Sequence, residues 1–290
     1  GKYALHQRVY RIHFTDRRVN TKFAYHYMKG FFKSFIMRKA VSSTVISIRK
    51  PMIENFLIPI PPLPVQEEIV RILDNFTELT AELTAELTAR KKQYEYYRDS
   101  LFAVDNTEIT WTTLDRISEN CDRQRRPVTK GNRVAGKYPY YGASGIVDYV
   151  ADYIFDGDYL LVSEDGANLI ARSTPIAFSV SGKTWVNNHA HVLKFDTYEL
   201  RRYVEIYLNS IDLSRYISGG AQPKLSQENL NKIPIPVLSA ERIKYVVSIL
   251  DRFDIFCNDL TTGLPSEIAA RQKQYEYYRD KLLTFKEQKK

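Results

Sequence analysis

The sequence predicts an α+β chain in which strand-rich bodies are joined by long helices that pack as an antiparallel coiled coil. The stretch from Pro64 to Ala103 carries apolar residues at Ile69, Ile72, Leu73, Phe76, Leu79, Leu83, Leu87, Tyr94, Tyr97 and Leu101, a spacing that traces one face of a helix. The chain also repeats itself. ARKKQYEYYRDSLF at 89–102 returns as ARQKQYEYYRDKLL at 270–283, IPIPPL at 58–63 as IPIPVL at 233–238, and ILDNF at 72–76 as ILDRF at 249–253. Between the copies, residues 104–236 are mostly strand-like runs separated by glycine turns.

At about 1.5 Å per residue, roughly 39 helical residues make a rod about 58 Å long, far above the usual globular helix length. The recurrence sets two related units 175 to 181 residues apart, each with one rod. Two apolar rods in one chain pack most simply on each other, antiparallel if a compact domain lies between them. Within the first rod, TAELTAEL at 80–87 writes one four-residue unit twice. Leucine at every fourth position drifts by about 40° per step, so only a few such units stay on one face. One added unit lengthens the rod by about 6 Å, a little under two base-pair steps of about 3.4 Å. A solvated helix of good formers explains the Thr, Ala and Glu but not their duplication.

The 290 residues allow a sizeable core and about two domains. A hydrophobic fraction of 44%, with 21 Tyr and 14 Phe, belongs to a folded chain. No run approaches about 18 apolar residues, and GKYALHQRVYRIHF lacks an apolar signal core, so a soluble intracellular protein is expected. Cys121 and Cys257 stand far apart and outside any CxxC, against structural zinc and against a disulfide framework; both read as buried thiols. The net charge of +8 is uneven, because residues 1–56 hold 12 Lys or Arg against Asp16 and Glu54. Basic residues interleaved with Tyr, Phe and His, without balancing acids, suit a phosphate backbone.

Taken in order, Arg8 to Phe14 alternates as a strand, Phe23 to Met37 has helical spacing, and VSSTVISI at 41–48 is β-branched. Their counterparts are HAHVLKF (189–195), YVEIYLN (203–209) and ISGGAQPKLS (217–226), so the first copy is expected to lack everything equivalent to about 104–180, as a fragment or a natural truncation. Pro59, Pro61, Pro62 and Pro64 make a stiff connector ending where a helix tolerates proline. The second body starts at Trp111 to Ile117. KYPYYGASGIVDYV (137–150) reads as strand, glycine turn, strand, and YIFDGDYLLVS (153–163) repeats that pattern around Asp156-Gly157. SEDGAN, the strand-like PIAFSVSG, KTWVNNHAHVLKF and a helix at 198–211 follow. Residues 116–137 carry seven basic residues against Glu119 and Asp122. The second rod should break at Thr262-Gly263-Leu264-Pro265, because Gly ends a helix and Pro265 can restart one.

These motifs together resemble the DNA specificity subunit of type I restriction-modification systems. The resemblance rests on IPIPPLPVQEEIVRILDNF, KKQYEYYRD, YPYYGASGIVDY, FDGDYLLVSEDGAN, NNHAHVL and GGAQPKL, and it covers nearly the whole chain. It implies a remnant of a first target-recognition domain at 1–59, a conserved spacer helix at 60–103, a second recognition domain at 104–236, and a second conserved helical region at 237–290, broken near 263–265. It further implies a non-catalytic reader of a bipartite site on double-stranded DNA, in the prokaryotic cytoplasm. Methyltransferase subunits dock on such a reader, restriction and translocase subunits join through the complex, and a second copy of the chain is a further partner. No membrane and no cofactor is implied. The competing expectation is a coiled-coil scaffold that binds protein without reading DNA sequence; steep salt dependence of DNA affinity separates the two.

Enzymatic chemistry is not expected of the chain alone. A methyl-transfer site needs a glycine-rich cofactor loop and an Asn-Pro-Pro clamp, and neither occurs; Gly142 and Gly145 read as a turn. Asp156, Asp158, Glu164 and Asp165 cluster without a closely following Lys, and His189 with His191 lack further metal ligands nearby, so catalytic and metal residues are none. No phosphate-binding loop is present. Base reading uses Arg or Lys for guanine and Asn or Gln for adenine. By that chemistry the candidate DNA-binding residues are Arg123, Arg125, Arg126, Tyr141, Ser144, Lys183, Asn187, Asn188, Gln222 and Lys224, with Arg38, Lys39, Ser43 and Arg49 in the remnant. For any one of them, a phosphate contact or a plain surface position is as good a reading. Tyr94, Tyr97, Tyr275 and Tyr278 are expected to pack the rods or face a partner.

Overall fold

A computed structural model of the chain describes residues 9–39, 48–103 and 109–285. In chain order it places α1 (Thr21–Lys39), α2 (Lys50–Glu54), α3 (Leu63–Phe102), β1 (Thr110–Thr113), α4 (Leu114–Ile117), β2 (Glu119–Asn120), β3 (Ala135–Gly142), β4 (Gly145–Val150), β5 (Phe155–Ser163), α5 (Asn168–Ala171), β6 (Ala177–Val186) and β7 (Ala190–Lys194). After these come α6 (Tyr198–Ser210), α7 (Gln227–Asn231), β8 (Pro234–Val237), α8 (Ala240–Asn258) and α9 (Leu264–Leu282). The residues fall into two compact units, 1–94 with 253–290, and 95–252. Both α3 and α8 run through that division.

In the first unit the repeated rods meet as expected. Phe76 of α3 stacks on Tyr278 of α9 at 5.3 Å between ring centroids, and Arg90, further along α3, lies 5.9 Å over Phe256 at the end of α8. Rising numbers on one helix face falling numbers on the other, so the pair is antiparallel. Phe23, Ile69, Val70, Leu73, Tyr275 and Leu283 form its buried core. Gln66, fully buried in this unit, ties the start of α1 to the start of α3. Its amide nitrogen donates to the carbonyls of Arg18 (2.8 Å) and Pro61 (2.6 Å), and its oxygen accepts from Asn20 N–H (2.8 Å). Over the TAEL repeat α3 is unbroken. The hydroxyls of Thr77, Thr80, Thr84 and Thr88 each donate to the carbonyl four residues earlier, at 2.7 to 2.9 Å.

The second rod breaks between α8 and α9, as the sequence predicts. Gly263 N–H donates to the Asp259 carbonyl at 3.1 Å, and a Cβ at Gly263 would lie 2.6 to 2.9 Å from the carbonyl oxygens of Ile255, Phe256 and Asp259. Only glycine fits against that helix end. Asp259 accepts from Thr261 and Thr262 in the turn, and the Thr261 hydroxyl is the main reason its carboxyl is held down to about 2.

The second unit is built on a six-stranded sheet of order β2-β7-β5-β6-β3-β4, antiparallel except where β3 meets β6, with a separate β1-β8 pair. Phe155, Leu161, Val180, Val186, Ala190 and Val192 fill the core along its central strands. The β3-β4 hairpin turns at Ala143-Ser144, as expected. Asp156-Gly157 is not a turn, however. β5 runs through it, and Gly157 pairs with Gly182 of β6, both at positive φ (144° and 76°), so two glycines facing each other let the ladder continue where a single one would have signalled a hairpin. β6 likewise continues past PIAFSVSG to Val186.

The expected strand from Arg8 to Phe14 is absent over the described residues 9–14. Its counterpart β7 lies between β2 and β5, whereas among the described residues every strand belongs to the second unit, so 9–14 has no ladder to join. VSSTVISI lies outside the described residues except for Ile48. The two proline motifs also diverge. IPIPVL contributes β8, with Ile235 buried against β1, while IPIPPL forms no strand and leaves Ile60 exposed.

Both cysteines are buried and unbridged. No helix among the described residues is long and apolar enough to cross a membrane. Truncating Leu73 to Ala, at the centre of the first unit's core, should lower stability by about 2–5 kcal/mol. Urea unfolding checks this, and a cost under about 1 kcal/mol would contradict the packing described.

Candidate nucleic-acid interface

Five connecting segments of the second unit converge at one end of its sheet. The 143–144 turn is tied to the end of β5 by the Ser163 hydroxyl, which donates to the Ala143 carbonyl. Glu164 N–H donates to the His189 carbonyl (2.9 Å), joining the segment after β5 to the β6-β7 turn. Gly166 N–H donates to Pro223 (3.1 Å) and Leu225 N–H to Glu164 (2.7 Å), which brings in residues 218–226. Cys121 N–H donates to Val192 (2.8 Å) and Arg126 N–H to Val186 (3.4 Å), placing residues 121–126 beside them.

Beneath these backbones lies a buried network of charged side chains. Asp122, 6% exposed, accepts from Val192 N–H at 2.8 Å through Oδ1, and its Oδ2 is 2.6 Å from His191 Nδ1. His191, 1% exposed, faces the Leu225 carbonyl with Nε2 at 2.8 Å; a carbonyl only accepts, so Nε2 donates. Arg125, 14% exposed, donates through Nη1 to Glu164 Oε2 (2.5 Å) and the Ala190 carbonyl (2.8 Å), and its Nη2 is 3.2 Å from Asp122 Oδ2. Lys224 Nζ reaches Glu164 Oε1 at 3.1 Å. Burial pushes the Asp122 carboxyl up, but the His191 hydrogen bond and charge, the Val192 N–H and the Arg125 charge outweigh it and hold the group below its ordinary value. Glu164 is held down in the same way, burial being overcome by Arg125, His191 and Lys224. Asp122, Glu164 and His191 bring three ligand atoms within 4.8 Å of one another, as a metal site would. Here Arg125 and Lys224 supply the positive charge at those oxygens, so the donor set is already neutralised.

The candidate residues divide around this network. Arg123, Arg126, Ser144, Asn188, Gln222 and Lys224 are exposed on the converging segments. Arg125 points inward, with its guanidinium engaged by Glu164, Ala190 and Asp122. Asn187 is buried; its side-chain oxygen accepts from His189 N–H (2.8 Å) and its own N–H donates to the Tyr141 carbonyl (3.1 Å), so it shapes the turn that presents Asn188. Tyr141 is half-buried against Phe178, with ring centroids 6.0 Å apart, and burial raises its phenol. Lys183 lies within β6 opposite Asp156, its ammonium 4.5 Å over the Tyr153 ring. In the first unit Arg38 and Arg49 are exposed; the Lys39 side chain and Ser43 lie outside the described residues. The structure brings together Asp165, from the clustered carboxylates, and His189, whose side chains pair at the surface. The sequence signals for them are a carboxylate cluster and a pair of histidines at alternate positions, and neither tells which histidine faces outward.

The model of the type I restriction modification DNA specificity domain matches residues 1–90 and 108–270. The chain is 35% identical over 243 residues to the Escherichia coli EcoR124I/EcoR124II specificity subunit, covering 77% of this chain and 60% of that one. It is 34% identical over 260 residues to the Escherichia coli EcoprrI specificity subunit, covering 83% and 62% respectively. A Haemophilus influenzae relative, 36% identical over 191 residues, is matched over 49% of its length and 64% of this chain. This chain thus spans about half to three fifths of these relatives. In fold it is similar to the crystal structure of a type I restriction-modification S subunit from M. genitalium, with a TM-score of 0.63 at 19% identity, covering 94% of this chain and 75% of that one.

Two outcomes test the division between inward and outward arginines. Arg125→Ala should cost about 3–5 kcal/mol, because it removes a buried cation from both Glu164 and Asp122 at once, whereas Arg123→Ala and Arg126→Ala should stay within about 0.5 kcal/mol. Chemical denaturation separates them. Because Asp122 and Glu164 have lowered folded-state values, the stability they contribute is complete above their ordinary values of 3.8 and 4.5 and is lost as pH falls through the lowered ones. The melting temperature should therefore drop steeply below about pH 4.5, and less steeply in Glu164→Gln.

Proposed function

The chain belongs to the type I restriction modification DNA specificity family, and on that premise we propose that it is the non-catalytic reader of a bipartite DNA site for a methyltransferase and restriction complex. The observation that carries this reading is the set of exposed Arg123, Arg126, Asn188, Gln222 and Lys224 on backbones cross-bonded above a buried ion network. Arginine and lysine suit phosphates and guanine, and Asn and Gln suit adenine edges. A rigid base under such side chains lowers the ordering cost of binding. In this reading Arg125, Asn187 and Tyr141 support the readers, and residues 104–236 form the recognition domain. Arg38 and Arg49 belong to the partial first domain at 1–59. Methyltransferase subunits dock along the helical regions 60–103 and 237–290, and restriction and translocase subunits join through them. The unbroken helix over the TAEL repeat supports a spacer role, since each unit adds about 6 Å without disturbing the rod.

The methylome of cells expressing the chain with its modification subunit tests this, against cells lacking it. A methylated-adenine motif split by a fixed gap is expected, and inserting one TAEL unit should change that gap by one or two base pairs. Absence of any split motif while the complex assembles would overturn the reading. Binding should weaken steeply with salt, log affinity falling linearly with log salt concentration.

A further inference from the structure

We propose that His189, held by Asp165, is a specificity-determining contact that accepts a hydrogen bond from an exocyclic base amine, adenine N6 or cytosine N4, in the major groove. The inference rests on the DNA-reading function above and assigns one further residue to it.

The His189 backbone is fixed on both sides. Its N–H donates to the buried Asn187 side chain at 2.8 Å, and its carbonyl accepts from Glu164 N–H at 2.9 Å. Its ring is fixed too, because Nδ1 lies 2.7 and 3.0 Å from the two Asp165 oxygens. Asp165 in turn sits on a backbone bridged to Lys224. The ring is still half exposed, at 50%. A carboxylate accepts, so Nδ1 carries the hydrogen, and in that Nδ1–H tautomer the lone pair lies on Nε2. Among the described residues no hydrogen bond engages that nitrogen.

An outward acceptor beside a carboxylate is suited to one kind of DNA group. A phosphate approaching Nε2 would meet the Asp165 charge, whereas an amine offers a donor hydrogen with positive partial charge. In the major groove such amines belong to adenine and cytosine alone, while guanine and thymine present acceptors there. The neighbouring Asn188 and Lys224, both exposed, place the ring among side chains suited to the same groove.

The test is selection of binding sites from a randomised duplex pool by the chain with its modification subunits, for wild type, His189→Ala, His189→Gln and Asp165→Asn. His189→Ala should relax one base pair that wild type specifies as adenine or cytosine on one strand, with discrimination there falling about tenfold to a hundredfold and an unchanged salt slope. Asp165→Asn should weaken the same position, and His189→Gln should keep or sharpen adenine, since Gln pairs with it in two places. An unchanged motif in His189→Ala overturns the proposal. So does a uniform loss over all sequences with a salt slope lower by about one, which is the signature of a phosphate contact. A wild type that selects no motif at all would refute the DNA-reading function itself, a result distinct from either.

Discussion

Charge buried in a strand-rich body has to be matched, and that requirement organises the interface. Taking a carboxylate or a cationic side chain out of water costs several kcal/mol unless partners replace the lost hydration. Asp122 and Arg125 share one segment, while Glu164 and His191 come from two others far away in sequence, and each meets its partners only if those segments hold one arrangement. Lys224 closes the set from a fourth direction. The network therefore acts on the surface indirectly, because loops that share a buried charge cannot drift independently. A groove reader needs this property, since a base-edge hydrogen bond tolerates little misplacement of the donor or acceptor.

A second constraint comes from the duplication, and it too is an interaction with aspartate. In the first copy, Asp74 of ILDNF receives Lys22 at 2.5 Å and His26 at 2.9 Å from α1. In the second, Asp251 of ILDRF receives the Tyr198 hydroxyl at 2.6 Å and Arg202 at 2.7 Å from α6. Each pair lies four residues apart on its helix, one turn, so each helix grips its rod by the same geometry with different chemistry. Burial and the Asp251 hydrogen bond push the Tyr198 phenol up to about 12, while Lys22 leads the groups that hold the Asp74 carboxyl down. The aspartate position fixes where a helix docks, and the residues it meets can vary. Arg90 and Arg271 show the same persistence, each pairing with the glutamate four residues before it and the glutamine three residues after it.

What was legible in the sequence was whatever depends on local periodicity. The apolar spacing of the first rod gave a single 40-residue helix, and Gly263-Leu264-Pro265 gave the break in the second. The glycine pattern at 142–145 gave a hairpin for the same reason. Local pattern misleads where a partner distant in sequence decides. Asp156-Gly157 has the form of a turn, yet Gly182 across the ladder makes it strand. Arg8 to Phe14 alternates as a strand should, yet among the described residues no neighbouring strand receives residues 9–14. Among the candidate readers, Arg125 was indistinguishable from Arg123 and Arg126, because the carboxylate that draws it inward lies 39 residues away. Asn187 and Asn188 were equally alike until the turn buried one and exposed the other.

That short basic run shows how one segment can serve both roles. Residues 122–124 form a single tight helical turn, and Arg125 leaves it extended, at φ −60° and ψ 143°. The change of direction sends the Arg125 side chain toward Glu164 and leaves Arg123 and Arg126 outside. Arg126 is held by its backbone, which donates to Val186 and accepts from the Trp185 indole at 2.7 Å, and its side chain takes no part in the fold's charge pairing among the described residues. Position rather than residue type thus separates support from reading. Arg123 and Arg126 can be exchanged without disturbing a buried charge, whereas exchanging Arg125 removes a partner from two carboxylates at once. A scaffold arranged in this way can carry different reading residues on the same fold, because the energy that holds its loops lies beneath them.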